Sequence, residues 1–260
     1  TAPRVRARAA ALPNPAPYGK PLTNSAVLIA GGELLFRQDK TLLPTYDVFD
    51  EHRYFEPARS VRVCDFRGVR LGISICEDAW NSPQMLPGVR YETDPVAALA
   101  REGAGLLINL SGSPFHLGKQ NLRLSLMQAH ARTHRLPLVF VNQVGGQDEL
   151  VFDGTSLVLD GDGRVTALLP SFREAIEVVD TESMNADVSV PEPDTIGCVH
   201  DALILGLRDY VRKCGFHSVL VGLSGGIDSA VTAAIAAVAL GPEQVTGVTM
   251  PSRYSSEGRD

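Results

Sequence analysis

Two stretches of the sequence combine residue types that chemistry uses. The first is Ile75-Cys76-Glu77-Asp78, a thiol and two carboxylates directly after the apolar run 69–75. The C-terminal edge of a strand is where open α/β sheets put their reactive groups. A thiol there becomes a strong nucleophile when a neighbouring cation favours the thiolate. Lys40, at the end of an earlier strand-like run, is the candidate cation in a chain with only four lysines. A free cysteine is also, in many proteins, a small buried apolar residue, and that reading stands beside the first. The second stretch is Gly222-Leu223-Ser224-Gly225-Gly226-Ile227-Asp228-Ser229, between the apolar run 219–223 and the Ala-rich run 230–240. A strand that feeds a glycine turn into a helix start leaves backbone N–H groups unpaired, and the helix dipole adds positive potential. That is an anion site. It is not a Walker A loop, which needs Gly-Lys-Ser/Thr at the helix start, because no lysine follows Lys213.

These residues must be held by strands and helices, and the periodicities supply them. Residues 25–30 and 33–36 read as a hairpin around Gly31-Gly32. Residues 61–66 alternate like a half-buried strand, and 69–75, 106–110 and 138–142 are short continuous apolar runs typical of buried strands. Asp94 and Pro95 open a helix to about 102, and 119–133 is amphipathic and helical. Antiparallel strands are expected near 151–152, 155–160 and 165–169, with Asp-Gly turns between them. Residues 199–214 read as a helix, and 245–250 as a strand parallel to 219–223. The alternation indicates a layered α/β or α+β sandwich. Residues 1–21 are Pro-rich and read as irregular or disordered, and 181–198 as a linker.

Bulk properties exclude several classes. A net charge of −6 argues against a nucleic-acid surface, and no apolar run is long enough for a membrane helix. Cys64, Cys76, Cys198 and Cys214 fit neither a zinc site nor a disulfide framework, which points to a reducing, cytoplasmic setting. Arg4, Arg6 and Arg8 lack the apolar segment of a signal peptide; a transit peptide and a fragment edge both stay open. His130 and His134 are four apart but lack the Glu of a zinc-protease helix, and Asp160-Gly161-Asp162-Gly163 reads as a turn, since Ser171 stands where a calcium loop needs Glu.

Motif phrases narrow the reading further. Ser224 to Ser229 resembles the pyrophosphate loop of N-type ATP pyrophosphatases, and Lys40-x-Leu42-Leu43-Pro44 with Ile75-Cys76-Glu77-Asp78 resembles the nitrilase superfamily. The runs 43–51, 142–149 and 152–154 are similar to the glutaminase domain of glutamine-dependent NAD+ synthetases, and 250–256 to the segment after their second synthetase strand. The resemblance covers about residues 22–260. It implies a partial nitrilase-like α-β-β-α sandwich over 22–180, then from 199 the first βαβ unit of a doubly wound ATP-pyrophosphatase domain resembling the adenine nucleotide alpha hydrolases.

The same resemblance implies roles. Cys76 attacks the glutamine carboxamide, Lys40 stabilises the oxyanion and the thiolate, and Glu51 is an accessory carboxylate. Tyr46, Glu77, Ser113 and Lys119 bind glutamine, and a backbone N–H at Glu77 faces the oxyanion. Gly222 to Ser229 holds ATP phosphates, and Asp228 also coordinates Mg2+. Ammonia then amidates adenylated deamido-NAD+, giving NAD+, AMP and pyrophosphate, in an enzyme expected to be a homo-oligomer when full-length. The sequence departs from the family in three respects: the general-base Glu expected upstream of the lysine has no credible counterpart, since the first Glu is Glu33 in a hairpin strand; the opening strand and helices of a nitrilase-like fold are absent; and the chain stops at Asp260, soon after the second synthetase strand. The chain therefore reads as an internal segment of a longer enzyme, with little or no activity by itself. A stand-alone nitrilase-type amidase and a catalytically dead fragment are the alternatives.

Overall fold

The computed structural model describes residues 6–13, 19–82, 85–86, 91–184 and 186–250. Strands β1 (Arg6–Pro13), β2 (Leu22–Ala30) and β3 (Glu33–Asp39) form an antiparallel sheet in that order. A short helix α1 (Glu51–Tyr54) leads to strands β4 (Val63–Phe66) and β5 (Val69–Ile75), and a 3-10 turn, Cys76–Ala79, follows β5 at once. Helix α2 (Pro95–Arg101), strand β6 (Leu106–Ser111), helix α3 (Lys119–His134) and strand β7 (Leu138–Asn142) come next. Strands β8 (Val144–Gln147) and β9 (Leu150–Asp153) form a separate hairpin, and β10 (Leu157–Leu159) and β11 (Val165–Leu168) return to the main sheet. That sheet has six strands in the order β11-β10-β7-β6-β5-β4.

The central strands β5, β6 and β7 are parallel, so Ile75, Ser111 and Asn142 end at one edge. Alternation along β5 sorts the two faces of the sheet. Leu71, Ile73 and Ile75 pack with Ala26 and Leu28 of β2, which places the small sheet on one face. On the other face, Leu99 of α2 and Leu126, Met127 and Ala131 of α3 pack with Leu107, Leu138 and Phe140. Gly72 is needed there, because a Cβ would lie 2.9 Å from the Ala104 Cβ and 3.2 Å from the Leu99 Cβ.

Helix α4 (Thr195–Lys213) lies across the β8–β9 hairpin, with Ala202 and Leu205 against Phe172, Val144 and Val151. The Asp209 carboxylate accepts the Gly146 N–H at 2.8 Å, and Lys213 Nζ donates to the Gly146 carbonyl. Strand β12 (Val219–Leu223), helix α5 (Ile227–Leu240) and strand β13 (Val245–Thr249) make one parallel βαβ unit. Its apolar side chains Leu220, Ile227 and Val238 are more than half exposed.

Two boundaries differ from the sequence reading. The segment read as irregular, 1–21, contains β1, whose eight residues pair with β2 from Arg6↔Ile29 to Pro13↔Leu22. A partner strand recruits this segment where its own composition gives no β pattern. The linker read as 181–198 ends early, because Asp194 caps α4 by accepting the Ile196 N–H at 3.1 Å. From Pro251 onward, the run similar to the second synthetase strand's sequel lies outside the described residues.

Candidate active site and phosphate loop

Cys76 follows β5 with φ +43°, in the left-handed region that a residue with a Cβ enters only when its surroundings hold it there. The turn carries the thiol past the sheet edge, where the Gly112 N–H after β6 donates to its sulfur. Burial pushes the Cys76 thiol up, Lys40 pulls it down, and Glu77 and Glu51 push it up again. The net shift is upward, so the resting group is a thiol that needs a base.

Lys40 sits just past β3 and is 1% exposed. Its ammonium donates to Glu51 Oε1 at 2.6 Å, its N–H donates to the Asn24 carbonyl, and its carbonyl accepts from the Ala58 N–H. A buried ammonium is tolerated only when paired in this way. Glu51 opens α1 and also accepts from Asn24 Nδ2. Glu33, by contrast, is exposed beside the β2–β3 turn.

Glu77 is 3% exposed and accepts hydrogen bonds from two phenols, Tyr46 at 2.9 Å and Tyr91 at 2.8 Å. Burial and the Glu77 charge raise both phenols far above the ordinary tyrosine value, so they stay donors. Lys119 begins α3 with its ammonium 5.4 Å from the centre of the Trp80 ring. Burial and the nearby Arg123 lower its pKa, while Cys76, Asp47 and Glu77 oppose the shift. A cavity of about 450 Å3 opens beside Lys119, lined also by Asp47, Phe115 and His116. Ser113, next to Gly112, is held through its backbone by Asn142, and its buried hydroxyl has no partner among the described residues.

The structure therefore gathers Cys76, Lys40, Glu51, Glu77, Tyr46 and Lys119 around one strand end, with Ser113 on the adjacent strand's sequel. Tyr91 was not singled out from sequence, and Asp78 stood there only as the second carboxylate after Cys76, with no site role assigned. Tyr91 carries no local motif. Asp78 reads as a turn cap, and it does cap the turn by accepting the Ile75 N–H. The same carboxylate also accepts the Thr41 and Leu42 N–H groups, far away in sequence. His130 is a packing residue whose Nε2–H donates to the Ala79 carbonyl at 2.7 Å. Asp160 closes a turn by accepting from Asp162 and Arg164.

The second candidate site is the turn between β12 and α5. Gly225 has φ +77°, and Ser229 Oγ lies 3.2 Å from both the Ser224 N and Oγ atoms. Gly226 is the cap residue of α5 and has no side-chain cap bond, which leaves the first helical N–H groups for an anion. A Cβ at Gly222 would meet nothing within 4 Å, so the approach is open. Asp228 lies in the first turn of α5. Among the described residues no group of three His, Cys, Asp or Glu could hold a metal, so a divalent ion here would need phosphate oxygens beside Asp228.

A strand-end cysteine with a buried lysine, on an α-β-β layered frame, defines a class of amide-cleaving proteins. Residues 9–186 match the carbon-nitrogen hydrolase family, more than half of the chain, and the chain belongs to that family. Residues 199–259 match the NAD synthase family. A glutamine-dependent NAD(+) synthetase of Synechocystis is 43% identical over 244 residues, covering 92% of this chain and 44% of that protein. The glutamine-dependent NAD(+) synthetase of Thermotoga maritima is 39% identical over 271 residues, covering 90% and 45%. The structure of the glutamine-dependent NAD+ synthetase from Acinetobacter baumannii in complex with ADP matches with a TM-score of 0.85 at 36% identity, covering 97% of this chain and 46% of that one. The chain thus spans a little under half the length of these relatives.

Proposed function

We propose that this chain is the glutaminase half, with the first part of the synthetase half, of a glutamine-dependent NAD+ synthetase. The observation that carries the reading is that the Cys76 sulfur accepts the Gly112 N–H and feels the charge of buried Lys40. With the usual general-base Glu lacking a counterpart, the accessory carboxylate Glu51, bonded to Lys40 and close enough to act on the Cys76 charge, is the group that takes the thiol proton as the sulfur attacks the glutamine carboxamide carbon. The tetrahedral oxyanion forms beside Lys40 and the backbone N–H groups of the turn. The proton passes to the departing nitrogen, ammonia leaves, and water hydrolyses the glutamyl thioester to glutamate. Lys119 and the Glu77 carboxylate, one positive and one negative, give an α-amino acid substrate two complementary charges.

Ser224 to Ser229 holds ATP phosphates on the N–H groups that open α5, and Asp228 contributes one oxygen to Mg2+. A Mg2+ ion held by Asp228 and the phosphate oxygens would supply charge neutralisation for AMP transfer to deamido-NAD+. The ADP in the Acinetobacter baumannii structure and the NAD synthase match over 199–259 support this assignment. The test is covalent labelling of the complete protein by a glutamine-mimetic electrophile. Modification is expected at Cys76, with glutamine hydrolysis abolished in Cys76→Ala; modification of Cys64 in its place, or unchanged hydrolysis in the variant, refutes the reading.

A further inference from the structure

We propose that Asp78 is the positioning residue that sets the separation between Lys40 and Cys76. The inference rests on reading those two as the amide-cleaving pair. Asp78 Oδ1 accepts the Thr41 N–H at 2.9 Å and the Leu42 N–H at 2.8 Å, and Oδ2 accepts the Ile75 N–H at 3.0 Å. Thr41 directly follows the lysine, and Ile75 directly precedes the cysteine. One carboxylate, 2% exposed, therefore ties the segment that carries the ammonium to the strand end that carries the thiol. Among the described residues, the hydrogen bond from Tyr46 to Glu77 also links the two segments, but six residues beyond Lys40. Backbone N–H groups aimed from two elements at one carboxylate fix both chains at once, because moving either leaves a buried donor unpaired. The charged and titratable groups around this junction include Lys40, Tyr46, Glu51, Cys76, Glu77, Tyr91 and Lys119.

Asp78→Asn separates this role from simple packing. The amide offers one acceptor oxygen, so at least one of the three N–H groups faces an NH2 and the junction shifts. The readout is the pH midpoint of Cys76 alkylation by iodoacetamide in the complete protein, followed by peptide mass spectrometry, with circular dichroism as the check on folding. The midpoint is expected to rise in Asp78→Asn, because Lys40 no longer sits where it stabilises the thiolate. In a Lys40→Met background the same substitution is expected to move the midpoint no further. For glutamine hydrolysis, kcat is expected to fall at least about tenfold with KM nearly unchanged, as for loss of a transition-state contact. Asp78→Glu keeps the charge and displaces it by one methylene, and serves if the Asn variant does not fold; it is expected to raise the midpoint as well. An unchanged midpoint in Asp78→Asn, an equal shift without Lys40, or full rescue by Glu overturns the proposal. Alkylation needs no substrate, so an absence of glutamine hydrolysis in the unmodified protein would refute the functional reading while the alkylation series still decides the role of Asp78.

Discussion

Asp78 keeps a charge in a place that disfavours it. Burial pushes its carboxyl up to about 6, against the Leu42, Ile75 and Thr41 N–H groups and Lys40, which pull it down. The usual aspartate value is 3.8, so between 3.8 and about 6 the folded protein holds a proton that the unfolded chain has released. By linkage, folding stability falls as pH rises through that window, the reverse of a salt-bridged aspartate; the difference reaches about 3 kcal/mol, at 1.36 kcal/mol per pKa unit. Urea unfolding at steps between pH 4 and 6 is expected to show this decline, and Asp78→Asn should remove it from the profile. If the two profiles run parallel, the carboxylate titrates as it does in water. The expense is consistent with a carboxylate retained for geometry at the candidate site, since local stability is commonly given up where function needs it.

Among the elements, α4 docks onto the β8–β9 hairpin at close range. A Cβ at Gly146 would lie 3.0 Å from the Gly206 Cα and 3.3 Å from the Gly206 carbonyl oxygen, both backbone atoms with little freedom to move. Gly146→Ala is expected to destabilise the fold by about 1–3 kcal/mol, as overpacking does, read as a lower urea midpoint with an unchanged Cys76 alkylation profile. A midpoint equal to wild type would mean that α4 slides freely. This contact was not legible in the sequence, because β8 is a Gly-Gly strand with no alternating pattern. The short apolar runs were legible: β5, β7 and β12 fall on the runs 69–75, 138–142 and 219–223. So were Cys76 and Lys40 as candidates, since a strand end and a rare residue type are local signals. Strand β1 was hidden because its pairing is decided by β2, and Asp78's reach to Thr41 and Leu42 was hidden because it spans 36–37 residues. Tyr91 was hidden for the same reason: its phenol meets Glu77 across a sequence separation of 14.

At the scale of the whole molecule, the two candidate sites belong to separate sheets joined through α4. Asp228→Ala removes a carboxylate from the first turn of α5 without touching any residue near Cys76. It is expected to weaken Mg-ATP binding by the complete protein at least about tenfold, as loss of a charged ligand contact does, while Cys76 alkylation stays unchanged; calorimetry with Mg-ATP checks the first half and mass spectrometry the second. Intact nucleotide binding in the variant would remove the metal role from Asp228.

The Lys213 contact with Gly146 has a further consequence. From Lys213, pinned to the hairpin, to the start of β12 at Val219 only residues 214–218 intervene, and the six steps can stretch at most about 22 Å. Gly215, at φ +78°, already turns that segment sharply back. The strand that leads to the glycine loop is on a short leash, and any swing of the βαβ unit large enough to carry the loop farther must first unfasten a lysine from the β8–β9 hairpin.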